Sequence, residues 1–381
     1  MVWFAAHGHS GLLGRLLALS TRLGACDVPD DLSGQHPSLF HVLGAQSHGE
    51  HPDFRDDWLE SDSVPAESCG AEARAESEPF ASGCSPASMM DASNKACLSV
   101  IVPACRRVDA LLKTLGTIEA CQPAPAEILV HVDGADATLI SAVATQFPAV
   151  RILSSRELQG PGGARNLMIR AASHELVANF DDDSFPASPD YFARILKLAA
   201  HFPDAAMFSA ASHEAEWRSG DFKRIVLPSG CGCVFRKSWF EKTRGFVPLP
   251  VAYNMEEVDI GLQLHAAGGT IIHDPLLRVV HDHEPVRQIS PEMNAHVLAN
   301  TALFPFLRFP VWLWPLGFWS VIRRVLVLIF WGWTAGLLDG LRLIPRHLER
   351  YKRYRGEVCS PHILSWLLLR RWPKSLGDAR I

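Results

Sequence analysis

Apolar residues are unevenly spread along this chain, and from Cys97 onward they gather into short runs separated by helically spaced stretches. LSVIVPA (Leu98 to Ala104) is apolar, β-branched and closed by proline, and VDALLKTLGTIEAC behind it carries its apolar positions at helical spacing. EILVHVDG (Glu127 to Gly134) is a second such run, ended by Asp-Gly. A further helical stretch precedes VRILSS (Val150 to Ser155), and a glycine-rich turn opens another helix before ELVANFDDD (Glu175 to Asp183). Strands alternating with helices need crossovers, which give a mostly parallel sheet covered on both faces. The pattern predicts an α/β architecture whose ligands sit beyond the carboxyl ends of the strands.

The flanks read differently. Residues 27–94 are rich in Ser, Pro, Gly, Ala, His and acids without a sustained period, so they cannot bury enough apolar surface to offset their ordering entropy. Residues 1–94 are therefore expected to be mainly disordered, with one short amphipathic helix between Gly11 and Cys26. A lipoprotein signal ending at Cys26 is disfavoured, because no basic residue precedes the apolar stretch and Arg15 interrupts it. Translation from Met89 or Met90 would make the upstream segment a gene-call artefact.

At the other end, Leu303 to Ile322 and Val325 to Leu338 are apolar runs flanking Arg323 and Arg324. The first is interrupted by Pro310 and Pro315, and the second falls short of the roughly 20 residues that a spanning helix needs. Trp312, Trp314, Trp319, Trp331 and Trp333 favour headgroup depth, and Arg342, Arg346, Arg350, Lys352, Arg353 and Arg355 follow them. The expected organisation is a catalytic domain over 95–300 and a membrane-associating helical tail over 301–381, peripheral or re-entrant. A helical hairpin packed on the domain, or a spanning passage, is the competing reading.

Composition narrows the class. The chain has 381 residues, 48% hydrophobic and 20% charged, which excludes a wholly disordered, collagen-like or disulfide-scaffold protein. The net charge of −5 divides into −10 over residues 1–94, −4 over 95–302 and +9 over 303–381. Nine cysteines, an odd number without regular spacing, indicate reduced thiols, and Cys231 and Cys233 are expected to be buried as small hydrophobes.

Three acids fall where ligands bind: Asp133 after the second strand, and Asp181 and Asp183 after the fourth. With Asp182 they form a triplet whose mutual repulsion a divalent cation bridging to a diphosphate would relieve. A solvated loop capping the next helix explains the same residues without a ligand. In QGPGGARN (Gln159 to Asn166), Gly160, Gly162 and Gly163 allow close approach of a backbone to a ligand. Arg165, in the first helical turn, can pair with a phosphate or orient an acid. Glu256, Glu257 and Asp259 open a further helix, where acids are favoured by the macrodipole in any case. His273, His281 and His283 surround a late strand, and an imidazole there could complete a metal site founded on Asp183.

In order and spacing these segments resemble the glycosyltransferase family 2 domain of GT-A fold over roughly residues 97–285. LSVIVPACRR looks like its opening strand, VDG its base-binding acid, GPGGARN its phosphate-side turn and FDDDSFP its DxD motif. SGCGCVFRK is similar to its acceptor-side glycine loop and MEEVDIGLQL to the start of its catalytic helix. The resemblance implies inverting transfer of a hexosyl or deoxyhexosyl group from a nucleotide sugar to a lipid-linked or polysaccharide acceptor hydroxyl. It implies Mg2+ or Mn2+ held by Asp181, Asp183 and His281, and a nucleobase pocket lined by Pro103 and Asp133. Asp181 also meets the donor ribose, Arg165 steadies the donor, and the base falls at Glu257, with Asp259 or Glu256 as alternatives.

Two positions depart from the family pattern, Glu257 for Asp and Gln263 for Arg. They leave room for a non-catalytic nucleotide-sugar-binding membrane scaffold. A sugar-nucleotidyltransferase would need a glycine-rich loop after the first strand, where this chain reads PACRRVDA. The expected setting is polysaccharide biosynthesis at the cytoplasmic face of the cell membrane, with no nucleic-acid partner.

Overall fold

The computed structural model describes residues 90–91, 94–213, 216–218, 220–253, 255–282 and 290–380. The readings for Gly11 to Cys26, for the segment 27–89 and for His283 lie outside the described residues.

The first half alternates strand and helix as the sequence pattern predicts: β1 (Ala96–Ala104), α1 (Val108–Glu119), β2 (Pro125–Asp133), α2 (Ala137–Gln146), β3 (Arg151–Ser155), α3 (Gly160–Ala171) and β4 (Leu176–Asn179). Helix α1 buries Leu111, Thr114, Leu115 and Ile118, one stripe at three-to-four-residue spacing. Asp136 starts α2 by accepting from the backbone N–H groups of Thr138 (2.9 Å) and Leu139 (3.3 Å), which would otherwise lack partners at a helix start. Next come β5 (Ser184–Pro186), α4 (Tyr191–His201), β6 (Ala205–Ala211), β7 (Asp221–Ile225), β8 (Cys233–Arg236), the short α5 (Lys237–Phe240), α6 (Glu256–Ala266) and β9 (Thr270–His281). The chain continues through α7 (Pro291–Arg308), α8 (Trp314–Phe330), α9 (Leu337–Tyr351), α10 (Ser360–Arg371) and β10 (Lys374–Asp378).

The strands form one sheet in the order β10-β7-β9-β6-β8-β4-β1-β2-β3, with β5 hooked onto β9. Pairing is parallel through β3, β2, β1 and β4 and again between β6 and β9, and antiparallel at β8 and toward β10. Helices cover both faces. One packs the aliphatic side chains of β1 and β2 against Leu111, Leu139, Ile195 and Leu198, and the other packs Ile101, Leu129 and Val177 against Ala164, Met168 and Ile260. Such side chains each contribute about 1.5–3 kcal/mol through burial.

The expected division at residue 300 falls inside α7. A third apolar cluster joins Leu249, Met255 and Leu262 to Leu303, Leu307, Ile363 and the fully buried Trp366. Strand β10 then pairs with β7, so the segment beyond 301 leaves the sheet and returns to it. Within that excursion α8 is the exposed element. Val311–Phe330 has a mean hydropathy of 1.6 and is 17% buried, and its length and composition suffice to cross a bilayer. The prolines act differently from the expectation: Pro315 occupies the first turn of α8, where a missing N–H costs nothing, and Arg323 and Arg324 continue the helix.

Candidate active site

The acids after β4 are brought together by strand register. Strand β5 pairs antiparallel with β9 so that Ser184 lies opposite His281, and the Asp282 N–H donates to the Asp183 carbonyl at 2.8 Å. His281 is thereby folded back over the acidic turn. One ligand atom each from Asp181, Asp183 and His281 lie within 4.8 Å of one another, with His281 Nε2 at 3.2 Å from Asp183 Oδ1 and 3.9 Å from Asp181 Oδ2. The turn is closed by Ser184, whose hydroxyl accepts from the Asp181 N–H at 2.7 Å.

Three cationic side chains face the three aspartates. Arg107, at the head of α1, donates from Nε (3.1 Å) and Nη2 to Asp182 and from Nη1 to Asp183 Oδ2. Arg165, 4% exposed, donates to Asn179 Oδ1 at 3.0 Å, to Glu256 Oε2 and to Asp181 Oδ1. The electrostatics follow from this arrangement. Burial raises the Asp182 carboxyl to about 6 against the opposing pull of Arg107. Burial acts the same way on Asp183, but its bond to His281 and the Arg107 charge prevail and hold it below the usual carboxylate range. Burial disfavours a charged His281, yet hydrogen bonding to Asp183 and Cys231 raises the ring to about 11. A proton held so firmly occupies the place where a cation is favoured. Two carboxylates and an imidazole suit a divalent transition ion such as Mn2+, so the donor set fits the implied metal.

Across Arg165 lies the acid pair of α6. Desolvation and the neighbouring Glu256 push Glu257 up to about 7. Burial likewise raises Glu256, although Arg165 opposes the shift. Glu257 fits against Gly230, where a β-carbon would lie 2.4 Å from Glu257 Oε1, so a glycine at that position makes room for the carboxylate. Glu257 is thus a half-buried acid pushed up to about 7, a value that suits a general base.

Asp259, expected as an alternative base, is spent elsewhere. Its Oδ1 accepts from Arg308 Nε, and its Oδ2 accepts from Arg308 Nη2 (2.8 Å) and Gln263 Nε2 (2.9 Å). Both charged side chains are almost wholly buried, so Asp259 is engaged by Arg308 and Gln263 rather than grouped with the acids around Arg165. Gln263 also donates to the Gly245 carbonyl (3.1 Å) and accepts from the Arg244 N–H (2.8 Å), so this departure from the family pattern sits in a satisfied network, with Arg308 as the cation on Asp259.

Two further expectations are refined. Arg165 is almost wholly buried and joins Asp181 to Glu256 through Nη2 and Nη1. Gly160 and Gly162 admit the chain's own 246–250 segment rather than a ligand: Gly160 has φ +66°, and a β-carbon there would lie 2.1 Å from the Leu249 carbonyl oxygen. Asp133 anchors this turn, accepting from the N–H groups of Gln159 (2.7 Å) and Gly160 (2.9 Å) and from Ser155 Oγ (3.2 Å). A carboxylate has about four lone-pair directions, so one remains on Oδ2 for another donor. Pro103, half-buried, lies on β1 opposite His131, two residues short of Asp133 in the same register. Cys231 and Cys233 are buried, as expected.

Arg107 and Arg308 were not singled out in the sequence. The first had a signal: β1 and β4 are adjacent parallel strands, so a basic residue just past one meets acids just past the other. The second had none, because Arg308 and Asp259 are separated by 49 residues.

An acid cluster suited to a divalent cation thus lies at the carboxyl edge of an α/β sheet, linked through one arginine to a second acid pair. Residues 99–251 match the model of glycosyl transferase family 2. The match includes Pro103, Asp133, Arg165, Asp181 and Asp183 and stops before Glu256, Glu257 and His281. No curated protein matches the chain. Among solved structures it is similar to the mannosyltransferase PcManGT from Pyrobaculum calidifontis, in complex with GDP-Man and Mn2+, at 16% identity over 73% of this chain and 88% of that one (TM-score 0.45). It is also similar to GalNAc-T7 with UDP, GalNAc and Mn2+ (13%, 55% and 48%, TM-score 0.44) and to Staphylococcus aureus TarS 1-349 (16%, 54% and 65%, TM-score 0.39).

Proposed function

We propose that this protein is a metal-dependent inverting glycosyltransferase acting at a membrane surface. The donor is a nucleotide sugar, and the acceptor is a hydroxyl of a lipid-linked or polysaccharide molecule. The observation that carries this reading is the convergence of Asp181, Asp183 and His281 within 4.8 Å at the carboxyl edge of the sheet, inside a glycosyl transferase family 2 domain.

Asp181, Asp183 and His281 would hold Mn2+ or Mg2+, and the imidazole favours Mn2+. When bound, the ion supplies positive charge against that developing on a departing nucleoside diphosphate. The remaining work belongs to the chain. Asp133 offers its open Oδ2 direction to a nucleobase donor group beside Pro103. Glu257 takes the proton of the acceptor hydroxyl as it attacks the anomeric carbon, and its value near 7 suits that task. Arg165 keeps Asp181 and Glu256 in fixed relation, so the acids on either side of it do not move independently.

The exposed aromatic surface of α8 and of the turn before it, with Trp312, Phe318 and Trp319 each 60% exposed or more, supports attachment to a bilayer, and the cytoplasmic face is the side we assign to it. Transfer from a panel of nucleotide sugars, assayed with Mn2+ and with Asp183→Asn and Glu257→Gln, tests the proposal. Loss of product in both variants is expected, and wild-type turnover in both would overturn it. A thermal-shift screen of the same donors identifies the sugar and base, since a bound donor stabilises the folded state.

A further inference from the structure

The two acids at the candidate metal site are handled alike by different arginines. Asp181 gives Oδ1 to Arg165 and turns Oδ2 toward His281. Asp183 gives Oδ2 to Arg107 and turns Oδ1 toward His281. Each carboxylate therefore has one oxygen gripped by a guanidinium and the other directed to the common centre. Arg165 is a familiar element of the site by sequence, whereas Arg107 comes from outside it, at the start of α1.

We propose that Arg107 is a positioning residue which fixes Asp183 as a one-oxygen ligand and holds Asp182 out of the coordination sphere. The inference rests on the metal reading above.

Arg107 is suited to this work by shape as well as charge. Its Nε and Nη2 edge covers Asp182 with two hydrogen bonds, and Nη1 is left for Asp183. Only a planar fork can serve two carboxylates in this way, and a lysine ammonium cannot. The fork is set on a rigid element: α1 also holds the acidic turn through Thr114, whose hydroxyl donates to the Asp182 carbonyl at 3.0 Å. Without the fork, Asp182 and Asp183 would both be free to turn toward the cation, with the repulsion and misaligned oxygens that follow. Groups that orient metal ligands in this manner typically control affinity by about 10–100-fold.

Charge alone predicts the opposite sign. A cation beside a metal site repels the metal, so removing it should tighten binding. Arg107→Lys keeps the charge and removes the fork, which separates the two effects.

The experiment uses the full chain and Mn2+ alone as probe, with free Mn2+ measured by electron paramagnetic resonance. Wild type is expected to bind Mn2+, and Asp183→Asn to lose it. R107K is expected to weaken binding roughly 10–100-fold. In the donor assay the half-saturating Mn2+ concentration should rise by the same factor, more than kcat at saturating Mn2+ falls. Turnover at high Mn2+ also reports that the variant is folded. Binding by R107K within twofold of wild type, or tighter, would overturn the inference, as would a fall in kcat without a shift in the Mn2+ requirement, which would mean that Arg107 acts on the donor itself. Equal Mn2+ binding by wild type and Asp183→Asn would remove the metal reading, and this inference with it.

Discussion

Arg308 of α7 closes on both oxygens of Asp259 in α6, and the two side chains are 1% and 2% exposed. The pair ties the helix that carries Glu257 to α7, the first helix after β9. Breaking a buried ion pair by removing one partner costs about 3–5 kcal/mol, because the other charge is left without compensation.

Arg308→Met is therefore expected to lower unfolding stability by about 3–5 kcal/mol in denaturant titration. Asp259→Asn should act in the same direction, with activity per folded molecule retained within severalfold. An Asp259→Asn chain of wild-type stability that has lost turnover would restore Asp259 as the base.

Asp181→Asn and Asp183→Asn should each reduce Mn2+-dependent transfer by more than about 100-fold, since groups that merely orient metal ligands already account for 10–100-fold. Isothermal titration of Mn2+ checks the cause. Full Mn2+ affinity in both variants would place the ion elsewhere.

Glu257 titrates near 7 because desolvation, followed by the Glu256 charge, disfavours its ionised form. As a base it must be ionised, so kcat/KM should rise through a limb near pH 7, and Glu257→Gln should lower kcat by about 10²–10⁴-fold. Its folded-state value lies above the unfolded one, so it takes up a proton on folding. Its contribution to stability is complete below the unfolded value and is lost as pH rises through about 7. Glu257→Gln should flatten that part of the stability profile. A wild-type rate that falls across this window would remove Glu257 as base.

The exposed face of α8 should bind anionic vesicles. Burying one large apolar side chain is worth about 1.5–3 kcal/mol, so replacing Trp312, Phe318 and Trp319 together by glutamate should weaken co-sedimentation by well over tenfold. Indistinguishable sedimentation of this variant and wild type would show that α8 does not touch the bilayer.

Local pattern and chemistry made much of this molecule legible in advance. The alternation of apolar runs and helical stretches from Leu98 to Asp183 is a local signal, and each strand and helix there appears in the fold. Asp181, Asp183 and His281 were legible because the acids follow a strand and the histidine ends another, although the pairing of Ser184 with His281 that joins them is a matter of register. The Asp259–Arg308 pair was not legible, because an acid in a first helical turn looks the same whether it faces a substrate or a buried arginine, and the arginine lies 49 residues downstream. The glycines of QGPGGARN misled similarly: they report that a backbone comes close, and here it belongs to Leu249. Around Pro315 the residue type was informative and its position in the helix was not, since the same proline that breaks an interior begins α8.

The return of β10 to β7 bears on how α8 is held. Helices α8 to α10 are moored to the catalytic body on two sides, through the Asp259–Arg308 pair at their start and through the sheet at their finish. A keel fastened fore and aft cannot swing. If α8 lies in a bilayer, the height and tilt of Glu257 above the lipid are set by the fold itself.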